Sequence, residues 1–408
     1  MIARRSRLWI GIFVLALAPL AGRPASMQQA PRKCCRSRAR PSVYRSPTRC
    51  VRGLRWIVWS PPAWTDDNMQ TRGTGPVTLR LAIEKFLLKE PFHITGHTMV
   101  DSEVLTAEVE ANGLVGRGES AGVYYHPGDN PHDNFKLLDA QRQRVEAGLD
   151  RAALQTLLPP GGARNALDCA LWDLEAKLSG RPAWQIAGLE PPQPLLTTFT
   201  VGANNPDKMA ADARAYTQAK AIKLKLTGEP ADAARVQAVR SARPDVWLGV
   251  DANQGFTRES LAALLPTLIG AEVRLIEQPF KIGQEALLDG LQSPIPVAAD
   301  ESVQSVSDIP KLRGRCSVIN IKLDKSGGLT EALQMAREAT RCGMDVMVGN
   351  MVGTSLSMAP AFLVGQLCKV VDLDGPVFLS QDRAPPVRYE NGMISCPPAL
   401  WGSPVATR

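Results

Sequence analysis

Two features of the sequence predict an α/β protein built as a (β/α)8-type barrel with a smaller α+β domain in front of it. From about residue 196 onward, short apolar runs alternate with helix-period segments eight times, the rhythm of parallel strands joined by crossover helices. The polar residues of these runs collect at their C-terminal ends, where a barrel gathers its functional side chains. A chain of 408 residues is long enough for a barrel core and a second, smaller one.

The first 68 residues stand apart. Residues 1–26 have a basic start, an apolar stretch from Leu8 to Leu20 and small residues after it, the layout of a secretory signal. That stretch is short for a spanning helix. Residues 27–68 are rich in Arg and Pro without a sustained period, so disorder is expected there. Two readings stay open. A genuine export or anchoring signal puts the body in the periplasm or at a membrane; an over-extended start, with Met69 opening the protein, leaves it cytoplasmic.

Residues 1–68 hold 13 Lys or Arg against 2 acids, and the remainder holds 34 against 38. The net charge of +7 is therefore a property of the leader. The slightly acidic body gives no reason to expect a nucleic-acid or membrane partner. Cys34, Cys35 and Cys50 lie in the leader, while Cys169, Cys316, Cys342, Cys368 and Cys396 are scattered singly. Without paired-cysteine or Cys/His spacing, these five read as small buried hydrophobes in a reducing compartment.

The α+β domain is expected over 69–195. Strand-like VTLRLAIEKFLL and EVLTAEVEANGLVGRGES precede helical NFKLLDAQRQRVEAGL and GARNALDCALWDLEAKLSG. In the last of these Ala166, Leu167, Ala170, Leu171 and Leu174 recur at helical spacing, and Gly180 and Pro182 end it.

The barrel is expected over 196–376, with strands at 197–202, 221–226, 247–254, 274–280, 296–302, 318–325, 345–350 and 369–376. Segments such as DAARVQAVRSA and LTEALQMAREA are the helices between them. An open doubly wound sheet would normally carry a glycine-rich phosphate turn after its first strand, and TVGANNPD is not one.

Three successive strands end in a carboxylate: Asp251 in LGVDANQ, Glu277 in RLIEQPF and Asp300 in PVAADES. A single strand-end acid often just caps the next helix. Three on neighbouring strands repel one another unless a cation joins them, and their spacings of 26 and 23 residues fit one strand, one helix and two loops per step. Oxygen donors with no Cys or His among them favour Mg²⁺, with Mn²⁺ possible, over zinc.

Lys223 and Lys225 in AIKLKL project from one face of the second strand. An alternating-Lys strand is usually a solvated edge, but the flanking Ala221, Ile222, Leu224 and Leu226 are all apolar. Two desolvated ammonium groups side by side depress each other's pKa toward the range of a general base, and Lys225 is nearer the strand end. Lys322 in VINIKLDK ends the sixth strand, opposite the second in an eight-strand barrel. A lysine on each side of a substrate suits removal of a proton from one face of a carbon and its return to the other. Lys325, followed by Ser326, Gly327 and Gly328, is expected in the loop.

TFTVG, KLK, DANQGF, EQPF, ADES and NIKLDKSGG together resemble the enolase superfamily, in its muconate-lactonizing subgroup, over residues 76–400. The resemblance implies that Asp251, Glu277 and Asp300 hold Mg²⁺, which stabilises an enediolate, with Lys225 and Lys322 as the acid/base pair. It also implies that Asn253 and Glu301 orient ligands and lysines, and that residues 377–408 return to the capping domain. Asp372 and Asp374 in KVVDLDGP resemble the DxD signature of the dipeptide epimerases: two carboxylates on one strand face suit a free α-ammonium group. Lys223, Thr198, Thr200, Asn350, Met351, Thr354 and Ser355 are expected near the substrate. Sugar-acid dehydratases of the superfamily pair a His with an Asp near strands six and seven, and DVMVGN has no His.

The implied activity is dipeptide epimerisation at the C-terminal residue. N-acyl amino acid racemisation, cycloisomerisation on the same scaffold, and a non-catalytic binding protein are the alternatives. Superfamily members often assemble, so a homo-oligomer stays open. The departure is in the capping loop. Similar epimerases acting on Ala-Glu use an Arg there, but KEPFHITGHTMVDSE has none, only His93 and His97. Val123, Tyr124, Tyr125 and His126 form either a cover over the pocket or a surface loop.

Overall fold

A computed structural model of the chain describes residues 75–94 and 96–405. The signal-like stretch, the three leader cysteines and the Met69 start lie outside the described residues. Among the described residues no helix is long and apolar enough to cross a membrane, and the five cysteines there are free.

The capping domain is a three-stranded antiparallel sheet of β1 (Thr78–Ile94), β2 (His97–Ala111) and β3 (Leu114–Ser120). The single strand-like stretch read over 103–120 is two strands, because Asn112 and Gly113 both take positive φ and turn the chain, the preference of a tight two-residue hairpin. The capping-loop segment is likewise largely strand, closed by the Ile94–His97 pair. The helix expected over 134–149 breaks into Pro131–Asp139 and Arg142–Glu146.

Helix Gly162–Ser179 ends at Gly180 in the left-handed conformation and covers the sheet. It approaches so closely that a Cβ on Gly118 would lie 2.1 Å from the Ala166 carbonyl oxygen. Its other side meets the barrel. The Trp172 indole donates to Thr330 at 2.9 Å, and Asp168 accepts from the Thr330 N–H at 2.9 Å and its hydroxyl at 2.6 Å. Gly328 is required at this seam, since a Cβ there would meet Asp168 at 2.5 Å.

After β4 (Leu195–Leu196), eight parallel strands follow in sequence order: β5 (Phe199–Val201), β6 (Ala221–Lys225), β7 (Trp247–Asp251), β8 (Val273–Glu277), β9 (Val297–Ala299), β10 (Val318–Ile321), β11 (Asp345–Val348) and β12 (Val370–Val371). The Thr198 N–H donates to the Val371 carbonyl at 2.9 Å and brings the two edges together. The strands are shorter than the sequence runs because their polar tails leave the ladder to form the mouth. Full helices follow most strands, but only a 3-10 turn, Glu285–Leu288, lies between β8 and β9. After β12 comes a four-residue helix, Gly375–Phe378.

The last segment, β13 (Arg388–Glu390) and β14 (Met393–Ser395), pairs with β4. Trp401 then donates to the Arg117 carbonyl at 2.9 Å, against the capping domain.

Candidate active site

Asp251 and Glu277 close β7 and β8 as direct register partners, and Asp300 follows the last residue of β9. One carboxylate oxygen from each lies within 4.8 Å of the other two, and all three side chains are fully buried. Burial and the neighbouring Asp251 push Glu277 up to about 7. The donors are hard oxygens at the closed floor of a barrel mouth. They fit a magnesium-type ion and no softer metal.

Each acid is also met by a lysine. Lys225 Nζ donates to Asp251 Oδ2 at 2.6 Å, Lys223 Nζ to Glu277 Oε2 at 3.0 Å, and Lys322 Nζ to Asp300 Oδ2 at 2.7 Å. Burial opposes the charge on Lys322, but Asp300, Glu277, Glu301 and Asp251 outweigh it and hold its pKa well above the usual lysine range. The same balance, with Asp372 foremost among the acids, raises Lys223. The sequence expectation that two neighbouring ammonium groups depress each other is thereby corrected for Lys223: the facing carboxylates are closer and more numerous than the other lysine.

Lys325 is also corrected. It is buried in the short helix Leu323–Ser326, where its Nζ donates to Asp300 Oδ1 at 2.5 Å, to the Asp300 carbonyl and to the Asn320 carbonyl at 3.2 Å. Two further residues passed unnoticed in the sequence. Asn320 Nδ2 donates to Glu277 Oε1 at 2.6 Å, and Gln278 Oε1 accepts from the Asp300 and Ser302 N–H groups at 2.8 and 3.1 Å. Asn320 stands two residues before Lys322, on the same strand face, and that spacing was the available signal.

A cavity of about 330 Å³ lies between the barrel mouth and the capping domain, and Lys225, Asn253, Asp300, Glu301 and Lys322 face it. Asn253 Nδ2 donates to Glu301 Oε1 at 3.2 Å. Asn253 Oδ1 and Glu301 Oε2 are buried without a partner. Burial, with Asp300 and Asp251 nearby, raises Glu301 to about 8.

The cap and one barrel loop supply the other walls. Phe92, Ile94, His97 and Met99 come from the β1–β2 tip, Tyr124 and Tyr125 from the loop after β3, and Asn350 and Met351 from the loop after β11. Of the run Val123–His126, Tyr124 and Tyr125 thus cover the cavity. Tyr124 stacks on His97 with ring centroids 5.0 Å apart. His93 is instead tied to Thr98 at 2.9 Å.

Asp372 and Asp374 are buried beside this cavity without lining it. Asp372 Oδ2 accepts from Lys223 at 2.5 Å and its Oδ1 from the Thr198 hydroxyl, while Asp374 Oδ2 accepts from the Thr200 N–H at 2.6 Å. Burial and Asp372 raise Asp374 to about 6. Lys223 and Thr198 are thereby occupied within this cluster. Ser355 and Thr354 are farther from the expected role. The Ser355 hydroxyl donates to Asp382 Oδ2 at 2.5 Å and accepts from the Val387 N–H, and Thr354 binds Glu119. Both begin a helix, whose first free N–H groups are met by Asp382 Oδ1, from Ser355 at 2.9 Å, and by the Thr354 hydroxyl, from Leu356 at 3.2 Å.

Comparison with known proteins agrees with this geometry. Residues 77–188 match the family described as mandelate racemase/muconate lactonizing enzyme, N-terminal domain, and residues 208–400 match the enolase C-terminal domain-like family. The chain is 37% identical to the L-Ala-D/L-Glu epimerase of Escherichia coli K12 over 319 residues, covering 78% of this chain and 99% of that protein. It is 40% identical over 255 residues to an N-acetyl-D-glutamate racemase of a Pseudoalteromonas species, covering 62% of this chain and 80% of that protein. An enolase family member from Agrobacterium tumefaciens with homology to dipeptide epimerases, solved with sodium and L-Ala-L-Glu bound, superposes with a TM-score of 0.78 at 42% identity. The match covers 80% of this chain and 100% of that one. The chain belongs to the mandelate racemase/muconate lactonizing enzyme family of the enolase superfamily, and within it is of the dipeptide-epimerase type.

Proposed function

We propose that this protein epimerises a dipeptide at the α-carbon of its C-terminal residue. The observation that carries this reading is the pair Lys225, which ends the second of eight strands, and Lys322, which directly follows the sixth, with the three acids at the ends of the strands between them. Asp251, Glu277 and Asp300 would hold Mg²⁺. Bound there, the ion supplies Lewis-acid stabilisation of the substrate carboxylate as its α-proton leaves.

The chain's own residues do the rest. A cation on the acids would release the Nζ atoms of Lys225 and Lys322 from Asp251 and Asp300. One then takes the α-proton and the other delivers a proton to the opposite face. Asn253 and Glu301 orient the groups around the metal acids, and the Tyr124–Tyr125 cover keeps water from the carbanionic carbon. Asp372 and Asp374, joined to Lys223, supply negative charge for the free α-ammonium of the dipeptide.

A second reading, racemisation of an N-acyl amino acid, is supported by the 40% identity to the N-acetyl-D-glutamate racemase and by the engagement of Asp372 with Lys223. Incubation in D₂O with Mg²⁺ and either free L,L-dipeptides or N-acetyl amino acids, followed by NMR, separates the two. Exchange at the C-terminal α-carbon of free dipeptides is expected; exchange confined to N-acyl compounds would move the activity to the second reading.

A further inference from the structure

The last two residues of β3 grip two different loops of the barrel mouth. Glu119 takes Thr354, through its N–H at 2.8 Å and its hydroxyl at 2.5 Å. Ser120 takes Asp324, two residues beyond Lys322, and this second grip is concentrated on one atom. Asp324 Oδ1 accepts from the Ser120 hydroxyl at 2.6 Å, the Ala121 N–H at 3.0 Å and the Gly122 N–H at 3.2 Å. Those donors open the loop that carries Tyr124 and Tyr125. The loop has its own local bonds, from the His126 N–H to the Val123 carbonyl at 2.8 Å and from the Val123 N–H to the Asp129 carbonyl at 2.9 Å. Its turn at Gly122 has φ +73, and a Cβ there would meet the Asp129 carbonyl oxygen at 2.5 Å. The loop is therefore a shaped unit, and Asp324 ties its root to the barrel.

We propose that Asp324 is a positioning residue, which sets the Tyr124–Tyr125 cover over the active-site cavity through its single oxygen Oδ1. Three donors converging on one buried acceptor fix where the loop leaves the sheet, and Asp324 shares its short helix with Lys325, which holds Asp300. The cover and the acid/base end of β10 thus move as one piece. Loss of the acceptor frees the loop root while leaving the metal acids and both lysines in place. The catalytic consequence rests on the proposed function, because it takes the cavity beneath the tyrosines as the substrate site. The structural consequence does not.

Two readouts on the full chain test it. By hydrogen–deuterium exchange mass spectrometry, D324A should raise amide exchange at least about tenfold over residues 121–126 while the β1–β2 ladder stays protected. D324N, which keeps the Oδ1 acceptor, should match the wild type. S120A removes only one of the three donors and should give a smaller increase at the same residues; it reads the same effect if D324A does not fold. In α-proton exchange, D324A should raise KM about tenfold with kcat within twofold, and D324N should restore KM. Unchanged exchange at 121–126 in S120A and D324A, or loss of protection spread evenly over the capping domain, would overturn the proposal. A wild type that turns over no dipeptide would instead overturn the proposed function, with the amide result still deciding the role of Asp324.

Discussion

Lys225 stands directly across the parallel ladder from Asp251, and its Nζ donates to Asp251 Oδ2 at 2.6 Å. A proposed base and a proposed metal ligand are therefore fixed to each other by main-chain register between two strands. Glu277 continues the same row on the next strand. Sites built on such ladders keep their geometry when loops move.

Replacing one of the two facing lysines should separate exchange from inversion. Lys225→Ala and Lys322→Ala are each expected to cut epimerisation by about 10²–10⁴-fold, the usual contribution of an acid/base group. Each variant should still exchange the α-proton of one epimer, opposite epimers for the two variants. NMR in D₂O from each pure epimer reads this directly, and loss of exchange from both epimers in both variants would contradict the two-sided arrangement.

Asp300 is held at once by Lys322, Lys325 and the Gln278 amide oxygen. Burial alone would raise its pKa, but Lys322 and Lys325 outweigh it and keep the carboxyl well below the usual range, so it presents an anion at every working pH. Asp300→Asn should weaken Mg²⁺ binding by calorimetry at least about tenfold and abolish turnover. Full activity of the wild type in a metal-stripped buffer would remove the metal assignment.

For the DxD pair, Asp374→Asn should raise KM for a free dipeptide about tenfold or more, the cost of one charge-assisted hydrogen bond. N-acetylation of the dipeptide should cost the wild type a comparable amount and the variant little. Equal losses in wild type and variant would show that Asp374 does not face the amino terminus.

Asp324 also gives a pH dependence. Burial, against opposing hydrogen bonds, raises its pKa from 3.8 to about 6. A carboxyl raised on folding contributes stability below pH 3.8 and loses it as pH climbs through about 6. Asp324→Asn removes that loss, so its Tm relative to the wild type should increase between pH 4 and pH 7. The ceiling is on the order of 3 kcal/mol. A difference that stays flat across this range would mean that Asp324 ionises normally in the folded protein.

Most of this architecture is legible in the sequence because barrel strands are buried on both faces. Runs such as AIKLKL and VINIKL announce themselves by unbroken apolar flanks, and acids at their ends are conspicuous. Seams are harder to read. Lys325 looks like a loop residue because Ser326, Gly327 and Gly328 follow it, yet those glycines are needed by the close approach of Arg164 and Asp168 from the capping helix, a partner more than 150 positions away in the chain. Thr354 and Ser355 sit one loop beyond the cavity wall. A hydroxyl at a helix start looks the same in sequence whether it meets a substrate or, as here, Glu119 and Asp382.

The central claim is proton transfer at the C-terminal α-carbon of a free dipeptide between Lys225 and Lys322, and the most direct measurement is NMR of L,L-dipeptides in D₂O with the Mg²⁺-loaded protein. The account predicts loss of the C-terminal α-proton signal together with growth of the L,D epimer, and neither change at the N-terminal residue. Exchange without any second epimer, or exchange at the N-terminal residue instead, would contradict it.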